Sequence, residues 1–228
     1  MSTPTEFSAI LFDLDGTLVD HESAARAGVE QWSTELGLPA GQWPRWAEIE
    51  RRWFTRFERR QISHLGQRIE RAREFLNSPD LTEDEALLLY ERYLDLYREN
   101  WRAYPDALPA LQAALDTGAA VGILTNGENS MQTDKLARTG LLLDDLVVLA
   151  ATDLQAAKPQ PEAYHASLRR LRVQAAEAVL IGDNWANDVD GARRVGMSGV
   201  YLLRRGCVRD GACPPEEASI STLDQLRF

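Results

Sequence analysis

Two aspartates one residue apart follow the first apolar run of the chain. The run spans residues 8–12, and Asp13 and Asp15 lie directly after it, before Gly16 and Thr17. Such a run is typical of a buried strand in a parallel sheet, and open α/β sheets bind ligands at the carboxyl ends of their strands. Oxygen donors gathered there suit a hard divalent cation such as Mg²⁺. The alternative is a solvated acidic turn, because Asp-Gly is common in turns.

Polar residues also follow three later apolar runs, each with the character of a buried strand. They are Thr125-Asn126-Gly127 after the run 120–124, Lys158 in the loop after the run 146–149, and 182–188, with Asp183, Asn187 and Asp188, after the run 178–181. In a doubly wound sheet all of these segments converge with Asp13 and Asp15 on one crevice. The resulting acids, hydroxyl and ammonium group suit magnesium-assisted phosphoryl transfer. The alternatives are a plain turn at 125–127 and helix capping by the later aspartates.

Lysine is rare in this chain, which makes Lys158 informative. Of the 25 basic residues only Lys135 and Lys158 are lysines. A carboxylate repels a phosphate dianion, so a nucleophilic aspartate needs positive charge nearby, which Lys158 and Mg²⁺ would supply. Two unit charges about 4 Å apart interact by roughly 4 kcal/mol in a partly screened site. The alternative is that Lys158 is an ordinary solvated loop residue.

The chain alternates strands and helices except for one all-helical stretch. That stretch predicts helices near 22–36, 44–61, 64–76 and 83–100, the last opened by a capping box at Thr82 and Glu85. The elements predicted after it are a helix at 106–116, strand 120–124, helix 129–139, strand 146–149, helix 161–171, strand 178–181, helix 188–195, strand 200–203, and a weak strand near 218–221 with a short helix. This order predicts a doubly wound parallel α/β sheet. Residues 1–19 and 104–228 would form its core domain, and 20–103 an inserted helical domain.

Composition restricts the partners and the location. The net charge of −10 argues against a general nucleic-acid binder. Cys207 and Cys213 fit no common zinc spacing and are interpreted as free thiols. With neither a signal-peptide pattern nor a long apolar stretch, the expectation is a cytoplasmic protein that does not bind membranes. The sequence is compatible with a monomer or a homodimer.

The ordered motifs resemble the haloacid dehalogenase (HAD) superfamily, in its phosphatase-like branch with a helical cap after the first strand. The resemblance implies a Rossmann-like core in which Asp13 is the nucleophile that forms an aspartyl-phosphate and Asp15 is the general acid and base. The other implied roles are phosphate binding by Thr125, Asn126 and Lys158, Mg²⁺ binding by Asp13, Asp183 and the main-chain carbonyl of Asp15, and support by Asn187 and Asp188.

The function implied is that of a Mg²⁺-dependent phosphatase acting on a small-molecule phosphomonoester. The principal alternative is a phosphomutase of the same fold, similar to β-phosphoglucomutase. A haloacid dehalogenase would lack the second acid, Asp15, and a phosphonate hydrolase would need a lysine in the helical insertion, which has none. A non-catalytic binding module would typically have lost Asp13, Asp15 or Lys158. Nucleotides, sugar phosphates, phosphoglycolate and acylneuraminate phosphates all remain open as substrates.

The helical insertion is expected to close over the crevice and to carry substrate selectivity. Candidate contacts for an anionic or ring-bearing substrate are Arg45, Arg51, Arg52, Arg56 and either Trp43 or Trp46. The alternative is that these arginines form a solvated face and that the tryptophans fill the core of the insertion.

Overall fold

The computed structural model describes residues 7–209 and 211–228. It divides into two compact units. One contains the described residues up to Asp20 together with Ala103–Phe228, and the other contains His21–Arg102. The first unit holds the sheet, and the second is helical.

The sheet has six strands in the order β3-β2-β1-β4-β5-β6. The strands are β1 Ala9–Phe12, β2 Ala120–Thr125, β3 Leu146–Ala150, β4 Ala178–Gly182, β5 Ser198–Leu202 and β6 Ser219–Ile220. All neighbouring pairs are parallel. The predicted doubly wound parallel sheet is therefore confirmed. Its order places β1 between β2 and β4, so three of the strands that precede site residues are adjacent.

The helices pack on both faces of the sheet because the strands are apolar on both faces. The helices are α1 His21–Glu35, α2 Trp43–Glu58, α3 His64–Phe75, α4 Glu83–Glu99, α5 Ala107–Asp116, α6 Asn129–Arg138, α7 Ala151–Leu154, α8 Pro161–Leu171 and α9 Gly191–Arg194. Ile10 of β1 lies in one apolar cluster with Leu111 of α5. Leu11 lies in the cluster on the other side with Tyr164 and Leu168 of α8. Successive side chains of β1 thus alternate between the two clusters, and all four residues of the strand are buried.

The helical unit consists of α1–α4 and has an aromatic core. Trp32, Trp46, Phe75 and Tyr93 stack and pack edge to face, and the rings of Trp46 and Tyr93 lie 4.4 Å apart. Trp46 is fully buried there, so it fills this core. The predicted capping box forms, because the Thr82 hydroxyl accepts from Glu85 N and the Glu85 carboxylate accepts from Thr82 N. None of the described helices has both the length and the apolar character needed to cross a bilayer.

The segment after β4 differs from the prediction. A helix was expected over 188–195, but the chain first forms a π-helical turn at Trp185–Asp190 and then the short α9. Polar side chains build this turn. The Asn184 amide oxygen accepts from Asn187 N at 3.0 Å, and the Asp188 carboxylate accepts from Asn184 N at 2.9 Å. The apolar periodicity that marks a helix is absent from such a turn.

Candidate active site

Lys158 joins two of the aspartates at the carboxyl edge of the sheet. Its Nζ donates to Asp13 Oδ1 and to Asp188 Oδ1, at 2.6 Å in both cases. Asp13 follows β1, and Asp188 lies on the π-helical turn after β4. Burial by itself would lower the pKa of Lys158, but the two carboxylates outweigh it and hold that pKa above its ordinary value. Lys158 therefore carries its positive charge between two acids.

Asn126 fixes the main chain that carries Lys158. Its Oδ1 accepts from Lys158 N at 2.7 Å, and its Nδ2 donates to Lys158 O at 2.8 Å. Asn126 follows Thr125, the last residue of β2, so this pair of bonds ties the loop before α8 to the end of that strand. The sequence resemblance predicts that Asn126 binds phosphate, and no sequence pattern predicts this contact with Lys158.

Three carboxylates form a compact cluster with the geometry of a cation site. Ligand atoms of Asp13, Asp183 and Asp188 all lie within 4.8 Å of one another. Burial, with repulsion from Asp188 and Asp183, raises the pKa of Asp13 well above its ordinary range despite Lys158. Burial and the charge of Asp188 raise the pKa of Asp183 to about 7. An all-oxygen donor set with excess negative charge fits a hard divalent cation.

Asp183 is held by the turn that follows β1. The Thr17 hydroxyl donates to Asp183 Oδ1 at 2.9 Å and accepts from Asp183 N at 3.1 Å. Gly16 has a φ of +86°, and a Cβ there would lie 2.3 Å from Asp183 Oδ2. Only glycine allows both this left-handed backbone and this close approach. The Gly16-Thr17 pair therefore brings the β1 loop against the acid that follows β4. No sequence pattern predicts this role of Thr17.

Asp15 has different surroundings from Asp13. Its Oδ1 accepts from Lys135 Nζ at 2.5 Å, and its Oδ2 accepts from Gln132 Nε2 at 2.9 Å. Gln132 Nε2 also donates to Thr125 Oγ1 at 2.6 Å. The Asp15 side chain stays about one-third exposed, at 31%. Asp15 and Thr125 thus meet at the same edge, joined by Gln132.

Lys135 and Gln132 were not among the predicted site residues. Both lie on α6 and are buried, each with 1% of its surface exposed. The available signal was the scarcity of lysine, because both lysines of the chain bond to aspartates of the site. Gln132 carries no comparable signal.

Asn187 supports the turn that holds Asp188. Its N–H donates to Asn184 Oδ1, and its carbonyl accepts from the Tyr164 hydroxyl at 2.5 Å. The described contacts of Asn187 thus anchor the π-helical turn to α8. Among the described residues, the site brings together four aspartates (Asp13, Asp15, Asp183 and Asp188) and two lysines, an excess of negative charge that a divalent cation would offset.

The comparisons establish the family. The family model described as haloacid dehalogenase-like hydrolase matches residues 7–196 of the chain. The sheet order and the convergence of four strand ends agree with this match. The chain belongs to the haloacid dehalogenase-like hydrolases, and the resemblance found in the sequence is confirmed.

The relatives include proteins of two activities. "Phosphatase MT3486" of Mycobacterium tuberculosis (strain CDC 1551 / Oshkosh) is 34% identical over 210 residues, covering 90% of this chain and 91% of the relative. (S)-2-haloacid dehalogenase 4A of Burkholderia cepacia is 30% identical over 220 residues, covering 96% and 92%. The crystal structure of a HAD phosphatase from Thermococcus onnurineus is 31% identical with a TM-score of 0.63, covering 95% and 94%. The hydrolase class is common to all three.

Proposed function

We propose that this hydrolase is a Mg²⁺-dependent phosphatase that cleaves a small-molecule phosphomonoester through an aspartyl-phosphate on Asp13. The observation that carries the proposal is that two carboxylates at one strand end have different surroundings. Asp13 is buried against Lys158, whereas Asp15 is partly exposed against Lys135 and Gln132. This division suits one nucleophile and one proton carrier.

The metal proposal depends on the excess of buried acid. Asp13 and Asp183, together with the main-chain carbonyl of Asp15, would hold Mg²⁺, and Asp188 would support the site through Lys158. A bound Mg²⁺ would supply Lewis-acid stabilisation of the negative charge on the phosphoryl oxygens. The raised pKa values of Asp13 and Asp183 support this assignment, because they indicate that these buried carboxylates lack compensating positive charge. A bound divalent cation would supply that charge and favour the ionised form of both groups.

The first half of the reaction is a displacement at phosphorus. A carboxylate oxygen of Asp13 attacks, the bond from phosphorus to the ester oxygen breaks, and Asp15 gives its proton to the departing alkoxide. In the second half Asp15 takes a proton from water, and the water oxygen attacks the same phosphorus. The bond between phosphorus and Asp13 then breaks, which releases inorganic phosphate and restores both carboxyl groups.

Thr125 and Lys158 bind the phosphoryl group in this proposal. The Thr125 oxygen accepts from Gln132 Nε2 and, at 3.2 Å, from Gly127 N. With the oxygen used as an acceptor in these two bonds, its proton can be donated to a phosphoryl oxygen. Lys158 lies 2.6 Å from Asp13 and lowers the repulsion between this carboxylate and the phosphate. Asn126 acts by holding Lys158.

Dehalogenation is the second candidate, favoured by the Burkholderia cepacia relative. A carboxylate at position 13 would displace halide from carbon in that reaction, with no metal. It gives no role to Asp15 as a proton carrier and none to the acid cluster, so the phosphatase is preferred. A phosphomutase shares the same core and differs in requiring a sugar bisphosphate for sustained turnover.

The proposal extends to the setting of the enzyme. We expect a cytoplasmic protein that acts on a small molecule. The helical unit, proposed as the cap domain, would carry the residues that select the substrate. Its surface offers Arg51 and Arg56, which are exposed. Arg45 and Arg52 are engaged within the unit by Asn77 and Glu74.

A phosphate-release screen tests this function. Purified protein is incubated with Mg²⁺ and nucleotides, sugar phosphates, phosphoglycolate or acylneuraminate phosphates, and in parallel with 2-haloacids. Phosphate release that a chelator stops and added Mg²⁺ restores is the expected result. Halide release that is insensitive to the chelator would support the dehalogenase instead. Turnover only after addition of a sugar bisphosphate would indicate the phosphomutase.

A further inference from the structure

Helix α6 holds both oxygens of the Asp15 carboxylate. Gln132 and Lys135 are three residues apart on this helix, so they lie on the same face. Gln132 donates to Oδ2 and Lys135 to Oδ1, at 2.9 and 2.5 Å. The two donors are almost fully buried, while the acceptor is partly exposed. The contacts join residues more than a hundred positions apart, so they fix Asp15 relative to the sheet.

Stability alone is a poor explanation for this arrangement. Burying an ammonium group is costly, and a buried ion pair is often no more stable than an apolar pair of the same volume. Lys135 nevertheless lies on the buried side of α6, beside Gln132 and Leu136, with 1% of its surface exposed. A charge placed at such cost against the Asp15 carboxylate indicates a functional requirement at that carboxylate.

The requirement is geometric. A proton carrier must lie within hydrogen-bond reach of the atom that gains or loses the proton, and small misplacements of a reacting group reduce the rate strongly. Asp15 lies on a turn after β1, where one hydrogen bond would leave its carboxylate free to rotate. Two donors on opposite oxygens fix the plane of the group.

Gln132 extends this control to the phosphate-binding hydroxyl. Its Nε2 lies 2.6 Å from Thr125 Oγ1 as well as 2.9 Å from Asp15 Oδ2. Gly127 makes room for it, since a Cβ at that position would lie 2.6 Å from Gln132 Nε2. One amide group therefore sets the spacing between the proton carrier and a donor to the phosphoryl group.

We propose that Lys135 and Gln132 are positioning residues that align Asp15 for proton transfer to the leaving group. The inference rests on the phosphatase function proposed above and adds two residues to its machinery. Neither side chain needs to touch the substrate, because both act through Asp15. Their loss should therefore matter most when the leaving group needs a proton.

The leaving group provides the test. We compare Lys135→Met and Gln132→Leu with wild type on an alkyl phosphate, whose leaving group needs protonation, and on p-nitrophenyl phosphate, whose leaving group does not. Because general acid catalysis contributes about 10²–10⁴-fold, kcat/KM on the alkyl ester should fall about 10–100-fold, with a much smaller fall on the aryl ester. This ratio reports only the steps up to formation of the aspartyl-phosphate, so the later attack of water, which both esters share, does not affect it. Equal losses on both esters would overturn the proposal.

Arg138→Met is the matched control. Arg138 lies on the same helix and pairs with Asp134 at 2.9 Å, and both of these side chains are exposed. The control should keep the wild-type kcat/KM on both esters. If the control lost the alkyl activity selectively, the effect would belong to α6 as a whole and the proposal would be wrong.

Crystal structures of the two variants separate this inference from the proposed function. The Asp15 carboxylate should rotate away from its wild-type position in Lys135→Met and in Gln132→Leu. An unchanged carboxylate in both variants would overturn the positioning role, whatever the enzyme hydrolyses. If wild type released no phosphate from either ester, the phosphatase function would fail, and the structures alone would decide whether α6 positions Asp15.

Discussion

At the level of one residue, Asp183 shows the excess of buried negative charge that the proposed cation would offset. It is buried beside Asp188, and the hydrogen bonds to its carboxylate from the Thr17 hydroxyl and from its own backbone N–H, together with the charge of Lys158, do not compensate, so its pKa rises to about 7. In the metal-free protein the folded state therefore holds this proton more tightly than the unfolded chain. The stabilisation from the proton is complete below the unfolded pKa, at about pH 4, and is lost as the pH rises through about 7.

Replacing Asp183 by Asn should remove this loss of stability with rising pH. With a chelator present, we expect the melting temperature of wild type to fall between pH 5 and pH 8 and that of Asp183→Asn to fall less. At pH 8, Mg²⁺ should raise the melting temperature of wild type and leave that of the variant unchanged. Thermal unfolding followed by circular dichroism measures both effects. Parallel pH profiles for the two proteins would contradict the assignment of Asp183.

Lys158 is the second residue whose replacement separates structure from chemistry. Lys158→Met leaves Asp13 and Asp188 as unpaired neighbours, which should cost about 3–5 kcal/mol in the free energy of unfolding. It should also reduce kcat about 10²–10³-fold, as loss of one charge-stabilising donor does. Urea unfolding and steady-state kinetics measure the two effects.

Arg194→Met is the surface control for Lys158→Met, because Arg194 pairs with Asp190 at 2.5 Å in an exposed position. It should change stability by less than about 1 kcal/mol. A Lys158→Met protein with unchanged kcat would contradict the role of this lysine.

The site residues that the sequence predicts and those that it misses lie in different kinds of element. Asp13, Asp15 and Asp183 come at the ends of adjacent strands, so their convergence follows from the sheet itself, whereas Lys158 comes from the loop that follows β3 and α7. Gln132 lies inside a helix, where only the rotation of α6 against the sheet decides what it touches. That rotation depends on packing, so the sequence did not predict that Gln132 bonds to Asp15.

At the level of elements, the junction of β4 and the π-helical turn leaves no room for a side chain. A Cβ on Gly182 would lie 2.2 Å from Asp188 Oδ2. Asp188 cannot yield easily, since Lys158 and Asn184 N hold its two oxygens. The close contact at this glycine thus allows Asp188 to reach Lys158.

Gly182→Ala should therefore damage the site through packing. We expect a loss of about 1–3 kcal/mol in unfolding free energy, as for other overpacked positions, and a fall in kcat because Asp188 is displaced from Lys158. Gly211→Ala is the control, since a Cβ there meets nothing within 4 Å. Equal stability of the two variants in urea would show that the contact at Gly182 is not restrictive.

Most element boundaries could be predicted to within about three residues, and the largest departure has a physical reason. The helix predicted at 161–171 matches α8 residue for residue, and the capping box at Thr82 begins α4 as expected. Apolar periodicity and helix caps involve residues that are close together in the sequence, so the sequence alone predicts the elements that they define. The segment 185–190 is shaped by side-chain bonds within the site instead, which periodicity does not report.

At the scale of the sheet-containing unit, Arg204 links segments that are far apart in the chain. It donates to Thr17 O at 2.5 Å and to Asp106 Oδ1 at 3.0 Å. Asp106 in turn accepts from the Leu223 main chain. One arginine and one aspartate thus tie the loop after β1, the start of α5 and the C-terminal segment together.

The Asp106 contacts predict a specific pH dependence. Burial alone would raise the pKa of Asp106, but hydrogen bonds from Arg204, Leu223 N and Thr222 outweigh it and lower that pKa. The stability it contributes is therefore present above the unfolded pKa, near pH 4, and is lost as the pH falls through the lower folded value. Asp106→Asn should be less stable than wild type at pH 6, by about 1–3 kcal/mol, and the difference should shrink below pH 4. A difference independent of pH in urea unfolding would contradict this account.

The central claim for the whole molecule is that the phosphoryl group is transferred to Asp13 before it is released as phosphate. The most direct measurement quenches wild type with acid during turnover of a substrate found in the screen and locates the phosphoryl group by peptide mass spectrometry. The account predicts a phosphorylated peptide whose modified residue is Asp13, and neither this adduct nor phosphate release in Asp13→Asn. Phosphate release by Asp13→Asn at the wild-type rate, or an adduct on another residue, would contradict it.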